Sequence, residues 1–200
     1  MKARIIAAAV ELTTTSGWSS LTMARLAEHV GVSRQTVYNE VRSKPALAEA
    51  MVLEELGRFL AVVEASFDRH PADLDAALRG AMHGVLVLAR DNALLRAIVS
   101  PGVGGAAELL PPLTTDATTV LSAATAVLSH RLGTYVVAVD GSRRAAAIDA
   151  IVRLVLSHVM QPGGTVEHMT DNLTAIAAQL LGTTAQSSAG QPRIREPLGS

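Results

Sequence analysis

One segment near the amino terminus constrains this chain more than any other. Residues 21–44 have the sequence LTMARLAEHVGVSRQTVYNEVRSK, in which apolar residues recur at helical spacing on both sides of a glycine. Thr22 and Ser33 each precede one of these runs, where a hydroxyl can cap a helix. Gly31 stands where a helix commonly ends in a left-handed residue. The segment therefore predicts two short helices joined by a tight turn.

The second helix of this pair is predicted to bury Val37 and Val41 and to leave a polar face outside. Arg and Gln side chains can pair with purine edges in the major groove, while Tyr and Thr hydroxyls can bind phosphates. This is the layout of a helix-turn-helix reader of duplex DNA. A solvated polar helix is the alternative, and a glycine turn alone does not exclude it. The following Ser43-Lys44-Pro45, a cap, a cation and a first-turn proline, favours the DNA-reading interpretation.

Residues 4–50 resemble the DNA-binding domain of the tetracycline-repressor (TetR) family in IIAAAVEL, SGW, LTMARLAEHVGVSRQTVYNEV and SKPAL. The resemblance implies an all-α homodimer, in which three N-terminal helices bind DNA and a larger helical domain binds an inducer and dimerises. Glu40 departs from the pattern, since the family often has an aromatic residue or His there. The resemblance implies that the DNA contacts are Thr22, Ser33, Arg34, Gln35, Thr36, Tyr38, Asn39 and Lys44.

Composition favours a helical protein with an aliphatic core. Hydrophobic residues make up 49% of the chain and aromatic residues only 2%, so Ala, Leu, Val, Ile and Met must fill the interior. The absence of cysteine excludes disulfides and cysteine-based zinc sites, and it fits a cytoplasmic location. Residues 1–50 carry a formal charge of +2 and the remainder −3, a weak asymmetry whose sign suits an N-terminal DNA reader.

No catalytic or cofactor motif appears in the sequence. The six histidines include no pair at the spacing of three or four residues that a helical metal site needs. Nucleotide-binding loops and the Gly-x-Ser-x-Gly motif are also missing. The apolar run after Lys2 and Arg4 could be a signal peptide, but Glu11 and the helical spacing favour an amphipathic helix. We therefore expect no enzyme, no metal, no cofactor and no membrane span.

The sequence predicts a head at residues 1–44, a helical effector-binding and dimerisation domain at 45–182, and a disordered tail at 183–200. Breaks are expected at Pro101–Gly105, interpreted as a flexible connector, and at Pro111-Pro112. Tyr135–Val139 is β-branched, but without a partner strand it is kept in the preceding helix. The helices of the second domain are predicted at about 45–69, 72–90, 92–100 and 114–139, at a helix capped by Ser142 that reaches about 161, and at a last one capped by Thr165.

A small-molecule pocket is expected among the middle helices, and the scarcity of polar and aromatic residues favours an apolar ligand such as an acyl chain. Ordinary core packing is the alternative for every candidate, because Met and Leu at helical spacing usually fill space. His83 is the expected polar contact. The candidate lining residues are Phe59, Val63, Leu78, Met82, His83, Leu86, Leu121 and Thr125.

The last two helices each carry a wide apolar stripe, which predicts a four-helix dimer interface with two-fold symmetry. Packing within the monomer is the alternative, and the family resemblance favours the dimer. The stripe residues are Ile148, Ile151, Val152, Val155, Leu156, Val159, Met169, Leu173, Ile176 and Leu180.

These expectations combine into a ligand-responsive transcriptional repressor, which binds a palindromic operator as a homodimer and is released by a small hydrophobic effector. Two half-sites about one DNA turn apart are expected, because a single short helix reads too few bases to be selective. An activator of the same fold, or a helical ligand-binding protein or enzyme that does not bind DNA, remains an alternative.

Overall fold

The computed structural model describes residues 1–99 and 118–183, and every element of regular structure in these two ranges is a helix. The predicted all-α class is therefore confirmed for them. The connector at 101–105, the Pro111-Pro112 break and the tail from 184 onward lie outside the described residues. The helices are α1 (Lys2–Ser16), a 3-10 turn (Trp18–Ser20), α2 (Met23–Val30), α3 (Arg34–Val41), α4 (Lys44–Arg69), α5 (Leu74–Asp91), α6 (Ala93–Val99), α7 (Thr118–Leu132), α8 (Gly141–Met160) and α9 (Val166–Leu181).

Helices α1 to α3 and the first turns of α4 share one small hydrophobic core, which we call the head core. Ile5, Leu26, Val37 and Leu47 are fully buried in it. The predicted caps are present: the Thr22 hydroxyl accepts a hydrogen bond from the backbone N–H of Arg25, at 3.2 Å. Ser33 and Ser43 cap α3 and α4 in the same way. Gly31 has a φ of 72°, as the turn between α2 and α3 requires.

The connection between α3 and α4 is tighter than the sequence indicates. Arg42 has φ 61° and ψ −55°, and the Ser43 N–H donates to the Val41 carbonyl at 2.6 Å. This three-residue loop is a γ-turn of the rare form with positive φ, which strains any residue other than glycine. It leaves only two residues, Arg42 and Ser43, between the end of α3 and the start of α4.

The larger helices form a second hydrophobic core, which we call the body core and which includes Phe67, Leu78, Ile148 and Leu173. Helix α5 lies between α4 on one side and α8 and α9 on the other. The α4–α5 contact is close because α5 carries glycine at positions 80 and 84. A Cβ atom on Gly84 would stand 2.5 Å from Cγ1 of Val62.

Two predicted helix starts are each wrong by two residues. Asp73, expected inside α5, is its cap and accepts a hydrogen bond from the Ala76 N–H at 2.9 Å. Asp140 caps α8 instead of Ser142, and accepts from the Arg143 N–H at 2.9 Å. That backbone bond lowers the pKa of Asp140, since it stabilises the carboxylate. In both cases an aspartate carboxylate is the acceptor for a free N–H group of the first turn.

The segment Tyr135–Val139 is not helical, which corrects the prediction that α7 continues through it. Helix α7 ends at Leu132, and the chain then runs irregularly to Asp140. The Tyr135 hydroxyl donates to the His70 carbonyl at 2.7 Å, and its ring meets Phe67 edge to face. Burial raises the pKa of Tyr135. Val136 is 99% exposed, so this apolar run anchors a loop through its tyrosine and is not an amphipathic helix.

Helix α6 packs against the head, and the residue that caps it is bonded to α4. Leu94 is only 2% exposed and packs in the head core. Asn92 begins the helix: its side-chain carbonyl accepts from the Leu95 N–H at 2.9 Å, and its amide donates to Glu55 Oε2 at 2.7 Å. The start of α6 is therefore tied to α4 by a hydrogen bond and to the head by apolar packing.

Candidate functional site

The outer face of α3 presents most of the predicted DNA contacts to solvent. Arg34, Gln35, Tyr38 and Asn39 are all exposed, while Val37 and Val41 hold the opposite face in the head core. The Gln35 amide donates to Asn39 Oδ1 at 2.9 Å. This pair lies along the helix axis and leaves further donors and acceptors of both amides free for base edges. The structure thus brings the donor-rich residues together on one accessible face.

The predicted hydroxyl contacts have structural partners of their own. Ser33 Oγ accepts from the Thr36 N–H at 3.0 Å and lies 2.9 Å from Thr36 Oγ1. The Thr22 hydroxyl accepts from the backbone as the α2 cap. A hydroxyl that accepts as a cap can still donate its own proton. These groups are therefore held in place at helix starts, where exposed oxygens can reach a phosphate.

Lys44 lies at the start of α4 and is held by an aromatic ring. Its ammonium nitrogen is 4.8 Å from the centre of the Trp18 ring, and Trp18 is buried in the head core. A cation over an aromatic face is attracted to it and loses mobility. The contact fixes a positive charge beside the end of α3, where a phosphate contact is predicted.

Three further charged residues, which were not among the predicted contacts, lie on α2, on α3 and directly after α3. Arg25 reaches back to the Ser20 carbonyl at 2.8 Å, and Arg42 is exposed directly after α3. Glu40 is half-buried, and no hydrogen bond or ion pair reaches it within the part of the chain that the structure describes. An unpaired acid on a surface that meets phosphates opposes binding.

A cavity of about 160 Å³ lies in the body, lined by residues of α4, α5, α6, α7 and α8. Its walls are almost entirely aliphatic, with Phe59 and Phe67 as the aromatic contributions. The described residues that line it are Val52, Glu55, Leu56, Phe59, Leu60, Val63, Phe67, Leu78, Ala81, Met82, Val85, Leu94, Leu95, Val120, Ala124, Leu128, Ile151, Val152, Val155, Leu156, Val159 and Met160.

Half of the predicted pocket residues line this cavity and half do not. Phe59, Val63, Leu78 and Met82 are in its wall. Leu86 is buried in the body core away from the cavity. Leu121 and Thr125 do not line the cavity. Helix α7 directs Val120, Ala124 and Leu128 toward it instead. His83 is exposed on the outer side of α5 and cannot be the polar contact.

Among the described lining residues, the polar one is Glu55, which was not among the predicted pocket residues. It is 6% exposed. Its Oε1 accepts from Arg58 at 2.9 Å and its Oε2 from Asn92 at 2.7 Å. In the sequence it resembles any carboxylate on a solvated helix face. Its spacing from Phe59 and Val63, at every fourth residue along α4, is the signal that could have found it.

The residues of the predicted dimer stripe lie in three different environments: the body core, the cavity wall and the exposed surface. Ile148, Ile151, Met169 and Leu173 are buried within the chain's own body core, which corrects their assignment to an interface. The half-buried Val152, Val155, Leu156 and Val159 of α8 line the cavity. An apolar stripe has the same spacing whether it faces a core, a cavity or a partner. On α9, Ile176 and Leu180 remain 38% and 37% exposed, available to a partner chain.

In residues 1–99 and 118–183, no group of three or more His, Cys, Asp or Glu is arranged to hold a metal ion. Their helices also include none with both the length and the apolarity needed to cross a bilayer.

Comparison with known proteins identifies the class. Residues 5–51 match the family model described as bacterial regulatory proteins of the tetR family, and residues 73–179 match the bacterial tetracyclin repressor C-terminal domain. The chain therefore belongs to the TetR family: it is a helix-turn-helix, DNA-binding transcriptional repressor and not an enzyme. The predicted family and fold are confirmed, and the alternative of a helical enzyme is wrong.

Individual relatives are consistent with this assignment. The chain is 32% identical over 157 residues to the HTH-type transcriptional regulator AlkX of Mycobacterium tuberculosis, covering 76% of this chain and 71% of that protein. The crystal structure of the TetR-family repressor AlkX from Dietzia sp. strain DQ12-45-1b superposes with a TM-score of 0.73 at 28% identity, over 92% of this chain and 97% of that one. A putative TetR-family regulator from Mesorhizobium loti shares the fold, with a TM-score of 0.63 at 18% identity, over 91% and 95% of the two chains.

Proposed function

We propose that this protein represses transcription as a homodimer on a palindromic operator and that a small aliphatic effector releases it. The observation that carries the operator half is the exposed face of α3, on which Arg34, Gln35, Tyr38 and Asn39 stand together. Thr22, Ser33, Thr36 and Lys44 flank this face with hydroxyls and a cation suited to phosphates. We assign the base contacts to the first set and the backbone contacts to the second.

An electrophoretic mobility shift with genomic DNA fragments at moderate salt tests this assignment. Arg34→Ala should weaken binding to a selected fragment by roughly tenfold or more, because it removes a side chain able to pair with a guanine edge. Tyr38→Phe should weaken binding by a smaller factor. Arg69→Ala, which removes the same charge from the far end of α4, should leave the affinity unchanged. Unchanged affinity for both α3 variants would count against the proposal.

The effector half of the proposal is supported by the cavity in the body. Its walls are aliphatic, so burying an alkyl chain there is favoured by the hydrophobic effect. The Dietzia relative is a repressor implicated in the biodegradation of n-alkanes, which agrees with an aliphatic effector for this chain. Leu94 belongs both to the cavity wall and to the head core, so a ligand that displaces it favours a different position of the head.

Dimerisation is proposed through α8 and α9, with Ile176 and Leu180 as the exposed apolar contacts. The weak positive charge of the head supports this, because one head makes few phosphate contacts and two together are needed for tight binding. We place the head at residues 1–44, the effector and dimerisation domain at 45–182, and a tail after it. The cytoplasm, where the operator DNA is found, is the proposed location.

A further inference from the structure

We propose that Glu55 sets the charge selectivity of the cavity. The cavity would take an aliphatic molecule whose polar end donates a hydrogen bond, an alkanol or an alkylammonium ion, and exclude the alkanoate of the same chain length. The inference rests on the proposed function in treating the cavity as the effector site. It goes further in naming the chemistry of the polar end of the ligand and the residue that selects it.

Glu55 is placed to accept a hydrogen bond from a ligand. Its two oxygens each receive one hydrogen bond, from Arg58 and from Asn92, and a carboxylate oxygen can accept two. The cavity wall also includes the aliphatic side chains of Val52, Leu56 and Leu95. Within this apolar surface a hydroxyl or ammonium group finds its acceptor at Glu55.

The described lining residues of the cavity include no cation that would offset a second carboxylate. Among the described lining residues, Glu55 is the only ionisable one. Arg58 does not line the cavity, and its side chain is 55% exposed to solvent. Residues 97–117 include Glu108 and Asp116 but no Lys, Arg or His. An alkanoate would therefore lose its hydration and meet a like charge, which disfavours it strongly.

The position of Glu55 also places the polar end of the ligand at the joint between body and head. Asn92 donates to Glu55 Oε2 and, through its carbonyl, caps α6. A ligand hydroxyl or ammonium group that donates to the same oxygen shares this acceptor with Asn92, and the second donor weakens the Asn92 contact. Two residues further along α6, Leu94 packs in the head core. Loosening the Asn92 contact therefore affects how α6 packs against the DNA-binding head.

Calorimetric titration of the full-length protein with 1-decanol, decylammonium and decanoate tests the selectivity directly. Each ligand is kept below its solubility or micelle limit at about pH 8, where the fatty acid is ionised. We expect 1-decanol and decylammonium to bind at least about tenfold more tightly than decanoate, since a like-charge contact in a buried site costs that much or more. Equal or tighter binding of decanoate, or no binding of any of the three, would overturn the proposal.

Two variants test whether the charge selectivity of the cavity comes from Glu55. Glu55→Gln keeps the size of the side chain and removes its charge, so it should tighten decanoate binding by about tenfold and weaken decylammonium binding. Glu54→Gln makes the same change at the neighbouring exposed position of α4 and should keep the wild-type ranking. If Glu55→Gln does not fold, the ranking of the three ligands on the wild-type protein still decides the matter.

A parallel mobility shift with the same ligands separates this inference from the proposed function. Release of bound DNA by 1-decanol but not by decanoate supports both. The expected ranking in calorimetry without release of DNA by any ligand contradicts the effector role and leaves the selectivity standing. Release of DNA by decanoate as readily as by 1-decanol contradicts the selectivity and leaves the effector role standing.

Discussion

Arg42 is held in a backbone conformation that L-amino acids other than glycine rarely adopt. Its φ of 61° closes a three-residue turn between the recognition helix α3 and α4. Such a conformation costs on the order of 1–3 kcal/mol and persists only where the surrounding structure enforces it. Here Val41 on one side is buried in the head core and Ser43 on the other caps α4. The strain is thus confined to the residue that sets the angle between α3 and α4.

Replacing Arg42 by glycine should therefore stabilise the protein. We expect the free energy of unfolding of Arg42→Gly to exceed that of Arg42→Ala by about 1 kcal/mol, because glycine adopts positive φ without the clash of a Cβ atom. Urea denaturation followed by circular dichroism measures the difference. The alanine variant is the matched control, since it also removes the charge but keeps the strain. Equal stability of the two variants would show that the turn is not strained.

At the scale of elements, the α4–α5 contact depends on two glycines of α5. Gly80 faces Ser66, whose hydroxyl donates to the Ala77 carbonyl at 2.9 Å, and Gly84 faces Val62. Neither neighbour can move easily, because Ser66 is hydrogen-bonded and buried and valine is stiff at χ1. The two helices can approach this closely only where α5 has no side chain.

Adding a methyl group at this contact should be costly, although alanine favours helix formation. We expect Gly84→Ala to lower the free energy of unfolding by about 1–3 kcal/mol through overpacking. Gly57→Ala is the control on α4, where an added Cβ atom meets nothing within 4 Å; it should raise the free energy of unfolding by about 1 kcal/mol. Thermal and urea unfolding measure both. A stabilised Gly84→Ala variant would contradict the close packing.

At the scale of the whole molecule, Leu94 of α6 belongs to the head core and also lines the cavity in the body. Helix α9 leaves apolar side chains exposed. Ile176 and Leu180 are one turn apart on the same face of α9 and are more than a third exposed. Exposed apolar residues that adjoin each other on one helix face are a common component of subunit interfaces. This pair is the part of the predicted stripe that the chain does not bury for itself.

A negative charge at this position should separate the subunits. We expect Leu180→Glu to shift the protein toward monomer and to weaken operator binding by at least about tenfold, because the two heads would then bind their half-sites independently. Sedimentation and mobility-shift titrations measure the two effects. Ala175→Glu adds the same charge to another exposed position of α9 and should keep the dimer. A Leu180→Glu variant that remains dimeric would place the interface elsewhere.

The DNA-reading head could be predicted from the sequence because short-range interactions determine its form. Thr22, Ser33 and Ser43 each cap a helix through a backbone N–H three residues away, and Gly31 supplies the turn between two such helices. The buried positions of α2 and of α3 recur within the eight residues of each helix. A sequence pattern of that length is nearly sufficient to determine the local backbone conformation.

The body required the tertiary structure, because helical spacing does not say what an apolar face meets. Val152 and Val155 were expected to meet a partner and instead line the cavity, while α7 turns Val120 toward it in place of Leu121. His83, the expected polar contact, is exposed, while Glu55, which was not predicted, lies buried in the cavity wall, since burial depends on neighbouring helices. The sequence by itself thus determined the helices, their caps and the recognition face, through contacts within a few residues. Only the tertiary structure decided which side chains surround the cavity, because that depends on the rotation of five helices relative to one another.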